Sequence, residues 1–185
     1  MARSRVGRET RARILEATRE LLATIGLEAT TLKAICDRAG VGAGSFYNLF
    51  DSKEDVVLSV VRSAISAFDT DRTHDAETVQ DLVQAYLAFV TREPALTRIY
   101  LQAAVSWGLA DPSFAARFRR HQTNRLDRLR AAIARAEPAL ESDEVRGRAE
   151  LLLATLNGLA MSAALDPDSD VAVLSERLLR DAVRM

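Results

Sequence analysis

With 185 residues, 48% of them hydrophobic and 28% charged, the chain has ordinary globular composition and enough length for a real core in one domain or two small ones. A single cysteine excludes an internal disulfide and argues against a cysteine-built zinc site, and no apolar run is long enough to span a bilayer, so a cytoplasmic protein is expected. The net charge of -1 conceals a basic head, because residues 1–50 carry 8 Lys and Arg against 5 Asp and Glu, and a polyanion would meet the chain there.

Helical periodicity dominates from the start of the chain. Arg3, Arg5 and Arg8 form a basic N-terminal arm, either a minor-groove contact or a solvated tail. Ile14, Ala17, Leu21, Leu22 and Ile25 mark one face of a first helix that Gly26 closes. Thr30 or Thr31 caps a second, over Leu32 to Ala39, whose face is Leu32, Ile35, Cys36 and Ala39 and whose stop is Gly40. A third short helix is expected over Gly42 to Leu49. Ser52, with Asp55 three positions on, caps a fourth whose face is Val57, Val60, Val61, Ala64, Ile65 and Phe68.

After a loop over Thr70 to Ala76, two more helices carry Val79, Leu82, Val83, Tyr86, Leu87 and Val90, then Leu96, Ile99, Tyr100, Ala103, Ala104 and Trp107; Glu93-Pro94 separates them. Asp111-Pro112 opens a long helix with Phe114, Phe118, Leu126, Leu129 and Ile133 on one side. The next, about Asp143 to Leu165, is apolar on more than one face and must be buried on more than one. Pro167 breaks the chain before a last helix bearing Val171, Leu174, Leu178 and Val183. No strand alternation occurs. The fold expected is all-α, about nine helices, with residues 1–52 as one domain and 53–185 as another.

Three glycines, Gly40, Gly42 and Gly44, fall within five residues and directly precede Phe46 and Tyr47. A short helix, a glycine-containing turn and a second short helix make a helix-turn-helix, whose second helix enters the major groove of DNA. Gly40 takes the positive-φ position ending the first helix, and Val41 plugs the turn. Gly44 sits inside a helix, where glycine costs about 1 kcal/mol against alanine, so it calls for close approach to another backbone or to DNA.

The run GLEATTLKAICDRAGVGAGSFYNLFDSKEDVV resembles the DNA-binding half of the TetR family of bacterial transcription regulators, with its Thr-Thr start, Ala-Gly-Val turn, aromatic-Tyr segment, Phe and Ser-Lys-Glu. The resemblance covers about residues 9 to 65. It implies phosphate contacts from Thr31, Ser45, Tyr47 and Lys53, and base-edge contacts from Lys33, Ala43, Ser45 and Asn48. Gly42 and Gly44 join this DNA-facing set through their backbone. Hydroxyls and a lysine at helix N-termini suit phosphates. Asn48 can pair with adenine in bidentate fashion, and Lys33 can reach guanine acceptors. Tyr47 has a second reading as packing, whereas Phe46 and Phe50 read as core. The family usually has Ser or Asn where Gly42 stands and a basic or polar residue where Ala43 stands, so capping and readout are thinner here.

Helix-turn-helix proteins pair to reach successive grooves, so a homodimer on a palindromic operator is expected. The last two helices would supply its interface, with Leu152, Leu156, Gly158, Leu159, Leu174 and Leu178; alternatively their extra apolar face packs inside one subunit. Tyr86, Phe89, Tyr100, Trp107, Phe118, His121 and Asn157, with Phe114 beside them, are candidates to line a pocket for a small, largely apolar effector, and each has core packing as its alternative. The expected function is a ligand-released repressor, with an activator or a regulator without an effector as the alternative. A helical enzyme is the remote alternative, because no nucleophile–base pairing is present. His74 and His121 lie far apart without carboxylates at ligand spacing, so no catalytic site, metal or cofactor is expected.

Overall fold

The computed structural model describes residues 2–67, 77–166, 168 and 171–182, and among these it contains nine helices and no strand. Phe68, the loop from Thr70 to Ala76 with His74, Pro167 and Val183 lie outside the described residues.

Helix α1 runs Ala2–Ala29, so the basic arm is helical from Ala2 onward, and Arg5 pairs with Glu9 one turn on at 3.2 Å. Gly26, at φ 76° and ψ -179°, breaks it where the sequence requires. The break re-aims the chain: Ile25, expected on the buried face, is 47% exposed, and Leu27 beyond the glycine is buried instead. Helix α2 (Leu32–Ala39) begins at Thr31, whose hydroxyl accepts from the Ala34 amide at 3.1 Å. It ends at Gly40 with φ 63°, while the Val41 amide donates to the Cys36 carbonyl at 3.0 Å.

Helix α3 (Ala43–Tyr47) is shorter than the sequence pattern implies, because the amides of Leu49 and Phe50 both turn back onto the Phe46 carbonyl. Helix α4 (Lys53–Ser66) starts on Ser52, whose hydroxyl accepts from the Asp55 amide at 3.2 Å, with Glu54 and Asp55 opposing the helix dipole. The remaining helices are α5 (Val79–Arg92), α6 (Pro94–Ala110), α7 (Pro112–Ala136), α8 (Ser142–Leu165) and α9 (Val171–Ala182). Thr78 and Asp81 form a capping box at the head of α5, and Asp111 caps α7 through the Ser113 amide.

Two apolar clusters hold these helices. The small one joins Ile14, Ala17 and Leu21 of α1 to Ile35 and Cys36 of α2, Phe46 of α3, Phe50 and Val56. Phe46 is fully buried, which contributes on the order of 2–3 kcal/mol and fixes the roll of α3 against its neighbours. The large cluster draws on α4 to α9 and on Leu22 and Leu27 of α1. Helix α4 belongs to both: Val56 packs into the first, and Val57, Val60, Val61, Ala64 and Ile65 into the second.

Helix α8 has two faces, and they divide the expected interface residues. Leu152 and Leu156 are 7% and 2% exposed, and Leu178 of α9 is 7% exposed; all three pack in the large cluster of this chain, the alternative that the sequence left open. Leu159 is half-buried against the same cluster. Gly158 and Leu174 remain exposed. With Gly158 on one stripe stand Leu151, Ala154, Thr155, Met161, Ser162 and Leu165, all exposed. The sequence pattern detects two apolar faces but does not tell which leucine belongs to which, since leucine fills either.

Candidate nucleic-acid interface and effector region

The turn between α2 and α3 presents a compact outward surface. Thr31, Lys33, Gly42, Ala43, Gly44, Ser45, Tyr47 and Asn48 are all exposed, with Lys53 half-buried at the head of α4. Phe46 alone of α3 points inward, so its neighbours on both sides face solvent. Tyr47 packs edge-on against Phe46, with centroids 5.6 Å apart, yet remains 56% exposed; its ring is both supported and available. A Cβ built on Gly42 or Gly44 would meet nothing within 4 Å. No protein backbone therefore explains Gly44, and the demand for close approach, if it exists, comes from outside the chain.

Electrostatics temper the surface. Lys33 Nζ bonds Asp37 Oδ2 at 2.5 Å, and that hydrogen bond and charge hold the lysine above its ordinary value. Lys33 must release Asp37 to reach a base. Lys53 Nζ stands 5.2 Å from the Trp107 ring centroid, a cation–π contact linking the head of α4 to the end of α6. Gly42, at the N-cap of α3, supplies no side-chain hydrogen bond, so the amides there are open to a phosphate.

In the larger cluster the expected pocket residues are mostly packed against one another. Phe89 is fully buried; Tyr86 and Tyr100 are nearly so. Trp107, Phe114, Phe118 and Tyr100 form a continuous chain of ring contacts, edge-on, stacked and tilted in turn, with successive centroids 5.4, 6.1 and 5.5 Å apart. The Tyr86 hydroxyl donates to Asn157 Oδ1 at 3.2 Å, and burial lifts its pKa to about 12. A cavity of about 40 Å³ opens beside Tyr86, between Leu82, Arg125 and Leu156.

A larger cleft, of about 320 Å³, lies between α4 and α7. Asp55, Leu58, Ser59 and Arg62 form one wall; Arg117, Arg120, His121, Thr123 and Asn124 form the other. His121 is thus the one expected pocket residue on this cleft. It is 9% exposed, its Nε2 has no partner, and burial together with the Arg125 and Arg62 charges pushes its pKa down to about 4. Sequence reasoning missed the arginines. Their signal was available, in that Arg117 and Arg120 flank His121 on the side of α7 adjoining Phe114 and Phe118, but a charged helix face ordinarily faces water.

An all-α chain with an exposed, glycine-led helix-turn-helix seated on a helical body defines a DNA-binding regulator. Residues 14–60, the helix-turn-helix segment with its flanking helices, match the family model of bacterial regulatory proteins of the tetR family. It is similar to the transcriptional repressor KstR of Mycobacterium tuberculosis, 33% identical over 120 residues, which cover 61% of this chain and 53% of KstR; the aligned stretch spans about half of that relative. Among solved structures, Salmonella enterica GusR has a TM-score of 0.64 and 26% identity, covering 95% of this chain and 96% of its own. FadR of Bacillus subtilis shares the fold, with a TM-score of 0.69 at 16% identity over 93% of this chain and 97% of FadR. Among the described residues no helix is long and apolar enough to cross a membrane.

Proposed function

We propose that this regulator is a homodimeric repressor that grips a palindromic operator with two copies of α3 and lets go when a small molecule binds in the region 53–185. The observation that carries the DNA half is the inward Phe46 beside outward Ala43, Ser45, Tyr47 and Asn48, which gives α3 one anchored face and one reading face. Thr31, Ser45, Tyr47 and Lys53 hold phosphates; Lys33, Ala43, Ser45 and Asn48 meet base edges, Ala43 through a thymine methyl. Gly42 and Gly44 allow the backbone to lie close to the duplex. The repressor sense follows the KstR relatives.

A single α3 covers too little DNA for tight specific binding, so two must act one helical turn apart, roughly 34 Å. The exposed stripe of α8 is the surface that would bring them together, with Gly158 at its middle. Release works by linkage: α4 is common to both apolar clusters, so a ligand that shifts α4 within the body also moves α3. A coupling of roughly 1–3 kcal/mol changes operator affinity about 5- to 150-fold.

The test is footprinting on DNA selected from a random pool, followed by transcription in vitro from a promoter overlapping the protected site. Two protected half-sites and reduced transcript support the proposal. Increased transcript makes the protein an activator, and no protection removes the DNA-binding function altogether.

A further inference from the structure

The α4–α7 cleft gathers arginines around buried polar atoms that lack partners. Several arginines elsewhere pair with carboxylates: Arg38 with Glu20, Arg130 with Glu150, Arg148 with Glu137 and Glu144, Arg128 with the buried Glu77. Others, such as Arg13, Arg98 and Arg119, simply stand exposed in water. At the cleft Arg62, Arg117 and Arg120 have no ion-pair partner among the described residues, and Arg62 makes only a long 3.4 Å bond to Ser59. Arg117 Nε and His121 Nε2 are buried without any hydrogen-bond partner. Just behind, Arg125 lies 4.2 Å from the Tyr86 ring centroid, with its own Nη1 unpartnered.

Arg62 and Arg120 are exposed, but Arg117 Nε and His121 Nε2 are buried, and a buried polar atom left unpaired costs about 1–3 kcal/mol while clustered like charges add repulsion. Such an arrangement persists where something of opposite charge supplies the missing acceptors. Asp55, the only carboxylate on the cleft, stands at the α4 end, where its Oδ2 already accepts from the Asp51 amide. It repels an anion from the N-terminal end of α4 and leaves the end near Arg62, about two turns away, to receive it. The cleft volume of about 320 Å³ suits a small molecule, and with Leu58 the only apolar side chain on its walls it does not suit an apolar one.

We propose that the α4–α7 cleft is an anion site, in which Arg62, Arg117, Arg120 and His121 bind the carboxylate or phosphate group of a small polar effector. This rests on the ligand-released repressor described above and replaces the largely apolar effector expected from the aromatic residues. Arg62 belongs to α4 and Arg117 to α7, so an anion between them draws the two helices together and displaces the helix shared by both apolar clusters. The occupied anion site and the DNA-reading surface thereby demand different positions of α4.

The experiment titrates the full chain with citrate, with pyrophosphate and with chloride at matched ionic strength, following the thermal unfolding midpoint and heat of binding. The expected result is saturable binding of citrate or pyrophosphate absent with chloride, weakened about tenfold or more in Arg117→Gln and in the exposed Arg120→Gln. Citrate saturating alone identifies a carboxylate ligand, and pyrophosphate alone a phosphorylated one. Circular dichroism checks that each variant is folded, and Arg120→Gln carries the test should Arg117→Gln unfold. If neither anion differs from chloride, or if the variants bind both as well as the parent, the anion site is refuted. Binding of footprinted DNA by the same preparation separates the outcomes: DNA binding without anion binding refutes only the cleft, and anion binding without DNA binding refutes only the repressor. Loss of DNA affinity in Arg120→Gln without any anion effect reassigns the arginines to the DNA backbone and overturns the proposal.

Discussion

Gly44 isolates the effect of DNA on a single residue. Its backbone is ordinary and a methyl group there meets nothing, so Gly44→Ala is expected to stabilise the chain by about 0.5–1 kcal/mol through helix propensity. The same methyl stands on the DNA-facing side, so operator affinity should fall while the unfolding midpoint rises; titration and thermal melts on one preparation show both, and unchanged affinity removes Gly44 from the interface. His121 gives a second residue-scale expectation. Its folded pKa of about 4 lies below the ordinary 6.5, so the unfolded chain binds the extra proton between these values. Stability is full above about 6.5 and declines as pH drops toward about 4, by up to roughly 3 kcal/mol. The groups acting on His121 are Arg62 from α4, Arg125 on α7 and the Tyr100 ring from α6, with Asp55, Arg117 and Arg120 on the same cleft. Urea unfolding across this range should show the slope in the parent and a shallower one in His121→Gln; parallel slopes would mean that other groups carry the acid sensitivity.

At the scale of the element, what could be read from sequence tracked how local the determinant was. Thr31, Gly40, Ser52 and Asp111 each act within a few residues of themselves, and every one of them caps or stops a helix where the pattern implied. Phe46 and Phe50 were legible as core for the same reason: α3 is too short to hide anything but its inward side. The ends of α3 were not, because the turn onto Phe46 depends on hydrogen bonds that no periodicity encodes. The body was harder still. Whether Leu151 or Leu152 faces the core depends on how α8 rolls against α5, α6 and α7, a tertiary fact. Likewise, the aromatic residues suited a pocket by composition and are found packed against one another, whereas the α4–α7 cleft opens among arginines that sequence places by default in water. A paired substitution separates the two faces of α8. Leu152→Ala should cost about 2–5 kcal/mol in urea unfolding and leave the oligomeric state intact. Leu151→Glu should do the reverse.

At the scale of the whole molecule, the stripe from Leu151 through Met161 to Leu165 leaves three large apolar side chains exposed on one helix face, as an association surface does. A double substitution, Leu151→Glu with Met161→Glu, is expected to give a folded monomer in sedimentation velocity and to lower operator affinity on the order of 100-fold, as loss of one of two linked contacts requires. A dimer that survives this change is held elsewhere, and the placement of two α3 helices would have to be rebuilt from that other surface. Salt provides the complementary view, since neutralising phosphates releases counterions and affinity should decline steeply as ionic strength rises.

The most direct measurement is the binding isotherm of the full chain on its footprinted operator and on scrambled DNA, for the parent and for Asn48→Ala, at two salt concentrations. Asn48→Ala should lose about 1–3 kcal/mol on the operator and little on scrambled DNA, with the salt slope preserved. Equal losses on both DNAs, or none on either, would contradict an α3 that reads bases through its exposed face.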